Sequence, residues 1–367
     1  MIQTLLRGMK RGHAALGLEI TDQHIKMCEV QELPDGSHRV IHFAMRPLPP
    51  GTMNDGRIIN EGMLHSVIQT LLDDREWSSR SIHFAIPSQN VMIRTVKLPD
   101  VKEKELRKLI QFELMHNLHL PFDEPFYDFI KLPKPTAAEE EVRKAEPLLE
   151  TADVEWSNAE TEAQLCEVML VAAPMELLQT YVRLLESLGL SIRSMEIKAF
   201  SLQRLQEKCL PIERGTWLML DINQTACDVS IVSDGVIKIT RNIEVNLIHP
   251  GSAADPLSGE PLNGLFAEFR SPEQSFETAC QDLVSELERL INFYRYTLNN
   301  RDQEFDSVIV SGDLPNMDKL ISILKSRMAQ KIVPLEWHQL PVEGDSSEWN
   351  VSAFAAPCGL ALRGKQR

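Results

Sequence analysis

The sequence predicts an α/β protein of two similar lobes facing each other across a cleft, and three observations lead there. Residues 16–30, LGLEITDQHIKMCEV, place two apolar runs around the polar bend Thr21-Asp22-Gln23. That is the pattern of a β-hairpin, and it carries Glu19 and Lys26. A related pattern returns at 217–245, WLMLDINQTACDVSIVSDGVIKITRNIEV, where Glu19 falls on Asp221, Ile20 on Ile222 and Thr21 on Asn223. Finally, 367 residues exceed what one hydrophobic core usually serves.

Composition narrows the class. Hydrophobic residues make up 43% and charged residues 25%, as in ordinary globular proteins. A formal net charge of −15 argues against nucleic acid as the main partner, because that polymer is held by neutralising its phosphates with Lys and Arg. The six cysteines stand singly, several in apolar runs, which suits buried thiols in a reducing compartment better than disulfides or a zinc site. No apolar run approaches the ~20 residues that span a bilayer, and no secretory signal is present. A cytoplasmic protein is the expectation.

In chain order, Ile2, Leu5, Leu6 and Met9 fall on one helical face, with Arg7, Lys10 and Arg11 elsewhere. Such a helix can lie on an anionic membrane, dock on the protein body, or fray. Pro34-Asp35-Gly36 signals a turn into a third strand, 38–44. Met63, Val67, Ile68, Leu71 and Leu72 then recur at helical spacing, and 81–86 is a short strand ending at Pro87. Three antiparallel strands, a helix and a further strand are how a ribonuclease-H-like lobe begins, and the order supports mixed sheets. Alternation over 91–96 is broken by Leu98-Pro99-Asp100, and a helix from Lys102 to about Leu118 sets Glu103 and Arg107 one turn apart. The segment 120–129, LPFDEPFYDF, reads as an aromatic-rich loop. Phe122, Phe126, Tyr127 and Phe129 either pack onto their own lobe or form a groove for an apolar peptide. Residues 133–163 are rich in Glu and Ala and read as an exposed insertion. Beyond it come an apolar strand (166–173), a helix (175–188) capped by Gly189, and a helical stretch at 200–205. After the second hairpin, 246–275 reads as an irregular insertion. A long helix follows, with Phe276, Cys280, Leu283, Leu287 and Leu290 on one face. A buried strand at 308–310 runs into Ser311-Gly312-Asp313, followed by a helix, a strand near Ile332 and a closing helix, 352–362.

Most catalytic templates are absent: there is no G-x-x-x-x-G-K-[ST], no strand-borne G-x-G-x-x-G and no G-x-S-x-G. Glu113, His116 and His119 follow helical spacing and imitate metal ligands, but a solvated face explains them better. The two hairpins are the stronger signal. In an actin-like protein each lobe offers a tight turn whose backbone N–H groups meet phosphate, with a carboxylate nearby to hold Mg²⁺ through water. Glu19 and Asp221 are the candidate acids, Thr21 and Asn223 the candidate turn positions, and Lys26 a candidate phosphate contact.

The chain resembles the PilM family, the actin-like cytoplasmic proteins of type IV pilus assembly. The resemblance is carried by Leu98-Pro99, Glu105-Leu106, Ile110, Glu113, Leu120-Pro121-Phe122, Asp123-Glu124 and Asp128-Phe129. Further matches lie at 17–26, 166–189, 195–205, 220–232, 285–296 and 358–362. It implies a first lobe at 1–87 and 190–213, completed by a returning helix at 350–364. An inserted small subdomain would occupy 88–189, with its acidic loop at 133–163. A second lobe would span 214–349, with its insertion at 246–275. The nucleotide-site positions it implies are Glu19, Thr21, Lys26, Asp221, Asn223, Thr225 and Gly312, for ATP and Mg. Several of these depart from the family pattern: Glu19-Ile20-Thr21-Asp22 replaces acid-x-Gly-Ser, Asp221-Ile222-Asn223 replaces Asp-x-Gly, and Ser311-Gly312-Asp313 replaces Ser-Gly-Gly. Each lost Gly adds a side chain where backbone should wrap phosphate. The expectation is an adaptor at the inner face of the cell membrane with weakened or lost ATP binding. It would hold the cytoplasmic N-terminal peptide of a membrane-anchored PilN-like protein in a groove between the small subdomain and the first lobe. The pilus motor ATPase and further copies of the chain are additional candidate partners. The alternative is an ATP-binding or ATP-hydrolysing protein that switches or polymerises. A sugar kinase of the same superfamily is disfavoured, since no substrate-side acid is evident.

Overall fold

A computed structural model describes residues 14–132, 165–212, 214–247, 272–298, 300–301, 303–336, 340–343, 350 and 352–363. The amphipathic N-terminal stretch, the acidic insertion and residues 248–271 of the second insertion lie outside the described residues.

The first hairpin forms where its alternation places it. Ala14–Ile20 (β1) pairs antiparallel with His24–Glu32 (β2), Ile20 opposite Ile25 and Glu19 opposite Lys26. His38–Pro47 (β3) extends the sheet antiparallel. Two elements stand between β3 and the next strand of this sheet. One is a small hairpin, Met53–Asn54 (β4) with Arg57–Ile58 (β5); the other is the helix Glu61–Asp73 (α1), N-capped by Asn60. Ser81–Ile86 (β6) then lies parallel to β1, and Ser191–Ile197 (β10) lies parallel to β6. The resulting order is β10-β6-β1-β2-β3.

The second sheet repeats this plan. Thr216–Ile222 (β11), Ala226–Ser233 (β12) and Val236–Glu244 (β13) form an antiparallel meander. The β12–β13 turn uses Asp234 and Gly235 at positive φ, the backbone a two-residue hairpin needs. Phe305–Gly312 (β14) and Lys331–Pro334 (β15) add parallel strands on the other side of β11, giving β13-β12-β11-β14-β15. Both central strands carry a parallel neighbour on one side and an antiparallel hairpin partner on the other. The fold is a duplicated ribonuclease-H-like one, as the two hairpins predict. Leu218, Leu220, Val229 and Ile231 of this sheet pack with Phe276, Leu283, Leu287 and Leu290 from the helix Pro272–Asn292.

The first lobe is finished from the far end of the chain. The helix Ala355–Ala361 is buried throughout and presses on β1, with no clearance for side chains. A Cβ on Gly17 would stand 1.7 Å from the Pro357 carbonyl oxygen, and one on Gly359 would stand 1.9 Å from that of Ser201.

Val91–Gln179 form a second compact unit. Met92–Pro99 (β7), Pro125–Lys131 (β8) and Leu165–Pro174 (β9) make an antiparallel sheet ordered β7-β9-β8. Leu106 and Ile110 of the helix Glu103–His116 (α2) pack with Leu98, Val168 and Leu170 of this sheet. The i,i+4 pair of α2 forms, Arg107 Nη2 lying 3.5 Å from Glu103. The structure corrects the reading of 120–129 as a loop throughout, because residues 125–131 are an edge strand. Tyr127 and Phe129 alternate inward and Phe126 and Ile130 outward, a period of two hidden by the density of aromatics. His119 lies beyond the end of α2, so it shares no helical face with Glu113 and His116.

The contact at Gly17 predicts that Gly17→Ala destabilises the protein by about 3 kcal/mol or more, since backbone must move to admit the methyl group. Gly62→Ala, whose Cβ would meet nothing nearer than 3.8 Å, is expected to be neutral or slightly stabilising. Urea denaturation of the two variants beside the parent checks both.

Candidate functional site: an ion-paired cleft between the two sheets

The two hairpins bring their acids to the facing ends of the central strands. Glu19 is next to last in β1 and Asp221 next to last in β11, both buried. Their cross-strand neighbours differ in a way that decides the site: Glu19 lies opposite Lys26, whereas Asp221 lies opposite Asp228. Like charges directly opposite in a sheet repel, so the second hairpin requires a cation from elsewhere.

Lys198 supplies it. It opens the helix Lys198–Cys209 directly after β10, and its ammonium lies 2.8 Å from Glu19, 3.0 Å from Asp221 and 2.7 Å from Asp228. Asn242 donates to the other Asp228 oxygen at 2.8 Å. The Ser311 hydroxyl lies 3.1 Å from Asp221 Oδ1. A second ammonium, Lys26, bridges the sheets in parallel, 3.3 Å from Glu19 and 3.1 Å from Asp313, which follows β14. His24 Nδ1 approaches the same Asp313 oxygen at 3.0 Å. Burial alone would lower both lysines, but the carboxylates around them outweigh it and hold both above the ordinary range. Burial would raise Glu19 and Asp313; instead Lys198 and Lys26 hold Glu19 down, and Lys26 and His24 hold Asp313 down. Asp221 goes the other way, raised by burial and by Glu19 against the pull of Lys198.

The turn residues close their own loops. Thr21 Oγ1 accepts from the backbone N–H of Gln23 at 3.3 Å and of His24 at 3.0 Å. Asn223 Oδ1 accepts from the N–H of Thr225 at 2.9 Å and of Ala226 at 2.7 Å, and the Thr225 hydroxyl lies 3.3 Å from the same oxygen. These are ST- and Asx-turns. Asp22 turns away to accept from the N–H of Asp55 and Gly56 at 2.8 and 2.9 Å, in the β4–β5 turn. Gly312, at φ +127°, lets β14 close on β11, because a Cβ there would stand 2.0 Å from the Ile222 carbonyl oxygen.

The structure therefore gathers Glu19, Thr21, Lys26, Asp221, Asn223, Thr225 and Gly312 around one cleft, but it commits them to each other. Lys26, read as a phosphate contact, is spent on Glu19 and Asp313. A phosphate needs free backbone N–H groups, and four at the two turns are already taken by Thr21 and Asn223. The free space left beside Lys198 is about 20 Å³, room for a water; small-molecule pockets usually run to hundreds of Å³. As arranged, these residues do not fit Mg-ATP. Sequence reasoning missed Lys198, Asp228 and Asp313. Asp228 had a signal, a lone carboxylate inside the apolar run 226–232. Asp313 had one too, standing where a second glycine was expected.

Among the described residues no cluster of His, Cys, Asp and Glu is disposed for a metal ion. No helix among them is long and apolar enough to cross a membrane. The second unit carries a separate groove of about 400 Å³, lined by Leu114, Met115, Leu118, Leu120, Phe122 and Tyr127.

Duplicated sheets around a hairpin-lined cleft, with a small inserted unit, define an actin-like fold. A family model described as Type IV pilus assembly protein PilM matches residues 17–156. That stretch contains 98–129, the segment that carries the resemblance to the PilM family read from the sequence. No curated protein matches the chain. Among solved structures, the chain is similar to a PilM-PilN type IV pilus biogenesis complex at 22% identity, over 96% of this chain and 99% of that one, with a TM-score of 0.73. It is also similar to the ethanolamine utilization protein EutJ from Carboxydothermus hydrogenoformans at 11% identity, over 97% of this chain and 92% of that one, with a TM-score of 0.52. At these identities the likeness is one of fold.

Removing one partner of a buried ion pair strands the other charge. Asp313→Asn is therefore expected to cost about 3 kcal/mol, and Lys26→Met combined with it clearly less than the sum of the two single changes. Because Asp313 is held below its ordinary value, its contribution is whole above about pH 4 and disappears as pH falls through the folded value. The Asp313→Asn variant should lose that acid dependence. Denaturant titration of the four-protein cycle at two pH values tests this.

Proposed function

We propose that this chain is an actin-like scaffold of a type IV pilus, competence or secretion-type assembly machine. It works in the cytoplasm at the inner face of the cell membrane, by binding a partner rather than by turning over nucleotide. The family match over 17–156 and the fold shared with a protein solved as a PilM-PilN complex support the assembly role. The single observation that carries the non-enzymatic reading is Lys198 lodged among Glu19, Asp221 and Asp228. With the turn N–H groups also taken, ATP binding is weakened or lost.

The partner is a PilN-like membrane protein presenting a short N-terminal peptide to the cytoplasm. The groove around Phe122, apolar along Leu114, Leu118 and Leu120 and rimmed by Gln111, Asp123 and Glu124, is a surface such a peptide can use, because aromatic anchors dominate interface energetics. A second reading has one geometric support: Glu19 and Asp221 still face each other at the strand ends, as a Mg-ATP protein that switches or polymerises would keep them.

Calorimetric titration with Mg-ATP separates the two readings. No heat and no thermal shift at millimolar nucleotide is expected, and saturable binding would reverse the assignment. Capture of the membrane partner's N-terminal peptide should succeed without nucleotide. Phe122→Ala should weaken that capture about tenfold; unchanged capture would move the docking surface elsewhere.

A further inference from the structure

We propose that the Lys198 ammonium is a built-in cation that replaces a bound ligand in clamping the two sheets, so that the cleft is held shut by the chain itself. The inference rests on the reading of the cleft as a disused nucleotide site and adds what has taken the nucleotide's place. Acid-bearing hairpins that face each other repel unless a positive charge stands between them. Here both hairpins keep their acids, and a covalently tethered positive charge stands between them.

The placement is specific. Glu19 belongs to the first sheet and Asp221 and Asp228 to the second, and all three converge on one nitrogen at 2.7–3.0 Å. The nitrogen comes from the first residue of the helix that follows β10, whose remaining turns pack against the C-terminal helix, so its position is fixed. Lys26 forms a second bridge of the same design, from Glu19 in the first sheet to Asp313 beyond the second. The registers show why Lys198 matters more: Glu19 has Lys26 directly opposite it, but Asp221 faces Asp228. Without Lys198 the end of the second hairpin holds two buried carboxylates whose directly paired ammonium is gone, with Lys26 the remaining cation near Asp221. Glu19 of the first sheet then faces Asp221 and Asp228 of the second without the ammonium that joins them, and repulsion across the cleft opens it toward water, which solvates the charges. Buried charges that lose their counter-ion are driven toward water, and turning one sheet from the other reaches all three carboxylates without unfolding either.

Hydrogen–deuterium exchange of the full chain reads this directly, on the two hairpins (14–32 and 216–233) and on the helix 272–292 as a reference lying in the core of one lobe. Lys198→Ala should raise exchange about tenfold at the cleft ends of both hairpins while leaving the reference helix unchanged. Methylammonium chloride, entering the space left by the side chain, should restore protection, and sodium chloride at equal ionic strength should not. Should Lys198→Ala be too unstable to study, Lys198→Met/Asp228→Asn removes one carboxylate with the cation, and opening should then be smaller but still confined to both hairpin ends. Protection retained at both hairpins, loss confined to one sheet, or rescue by sodium as good as by methylammonium would each overturn the built-in cation. Protection of the parent protein by Mg-ATP is a different outcome: it would overturn the disused nucleotide site, whatever Lys198→Ala shows.

Discussion

One ammonium among three carboxylates sets the terms for everything around it. Lys198 Nζ is the charge on which the strand-end acids of both sheets converge. Placing it there costs desolvation, and that cost is recovered only because the carboxylates are equally buried and close. The turns follow the same economy. Their backbone N–H groups need acceptors, and Thr21 and Asn223 supply them from one side chain each. Thr21 and Asn223 are thus not passive obstructions. They satisfy part-buried N–H groups of their own turns.

Duplication explains why the two halves solved the problem differently. Lys26 and Asp228 hold equivalent registers in their hairpins, one opposite Glu19 and the other opposite Asp221. The first hairpin is therefore balanced within its own sheet and has Lys26 to share with Asp313. The second is not, and it draws its cation from the helix after β10. Through that ammonium the acids of the second hairpin are joined to Glu19 of the first.

The sequence made the architecture legible because alternating strands around short polar turns are local signals, and because the same signal came twice. The aromatic segment was half legible: Leu120 and Phe122 line a groove, but the strand at 125–131 was masked by aromatics on both faces. The β4–β5 hairpin was announced by Asn54-Asp55-Gly56, yet two-residue strands carry too little pattern to stand out. The site was legible as a place and not as chemistry. Glu19 and Asp221 mark it from afar by similarity to each other, whereas Lys198 is about 180 residues from its first partner and sits in no motif. An ion pair across such a separation leaves no periodicity to read. The odd residue of an apolar strand, Asp228, is the kind of mark that repays attention.

The buried helix at 355–361 has a further implication. Gly17 and Pro357 touch although far apart in sequence, so the lobe begun by the first strand cannot be sealed until that helix has left the ribosome. The second sheet, whose strands and covering helix all lie within residues 216–334, has what it needs earlier. During synthesis the half encoded later is the one equipped to fold first, and the opening strands wait with an uncovered apolar face, a natural client for a chaperone.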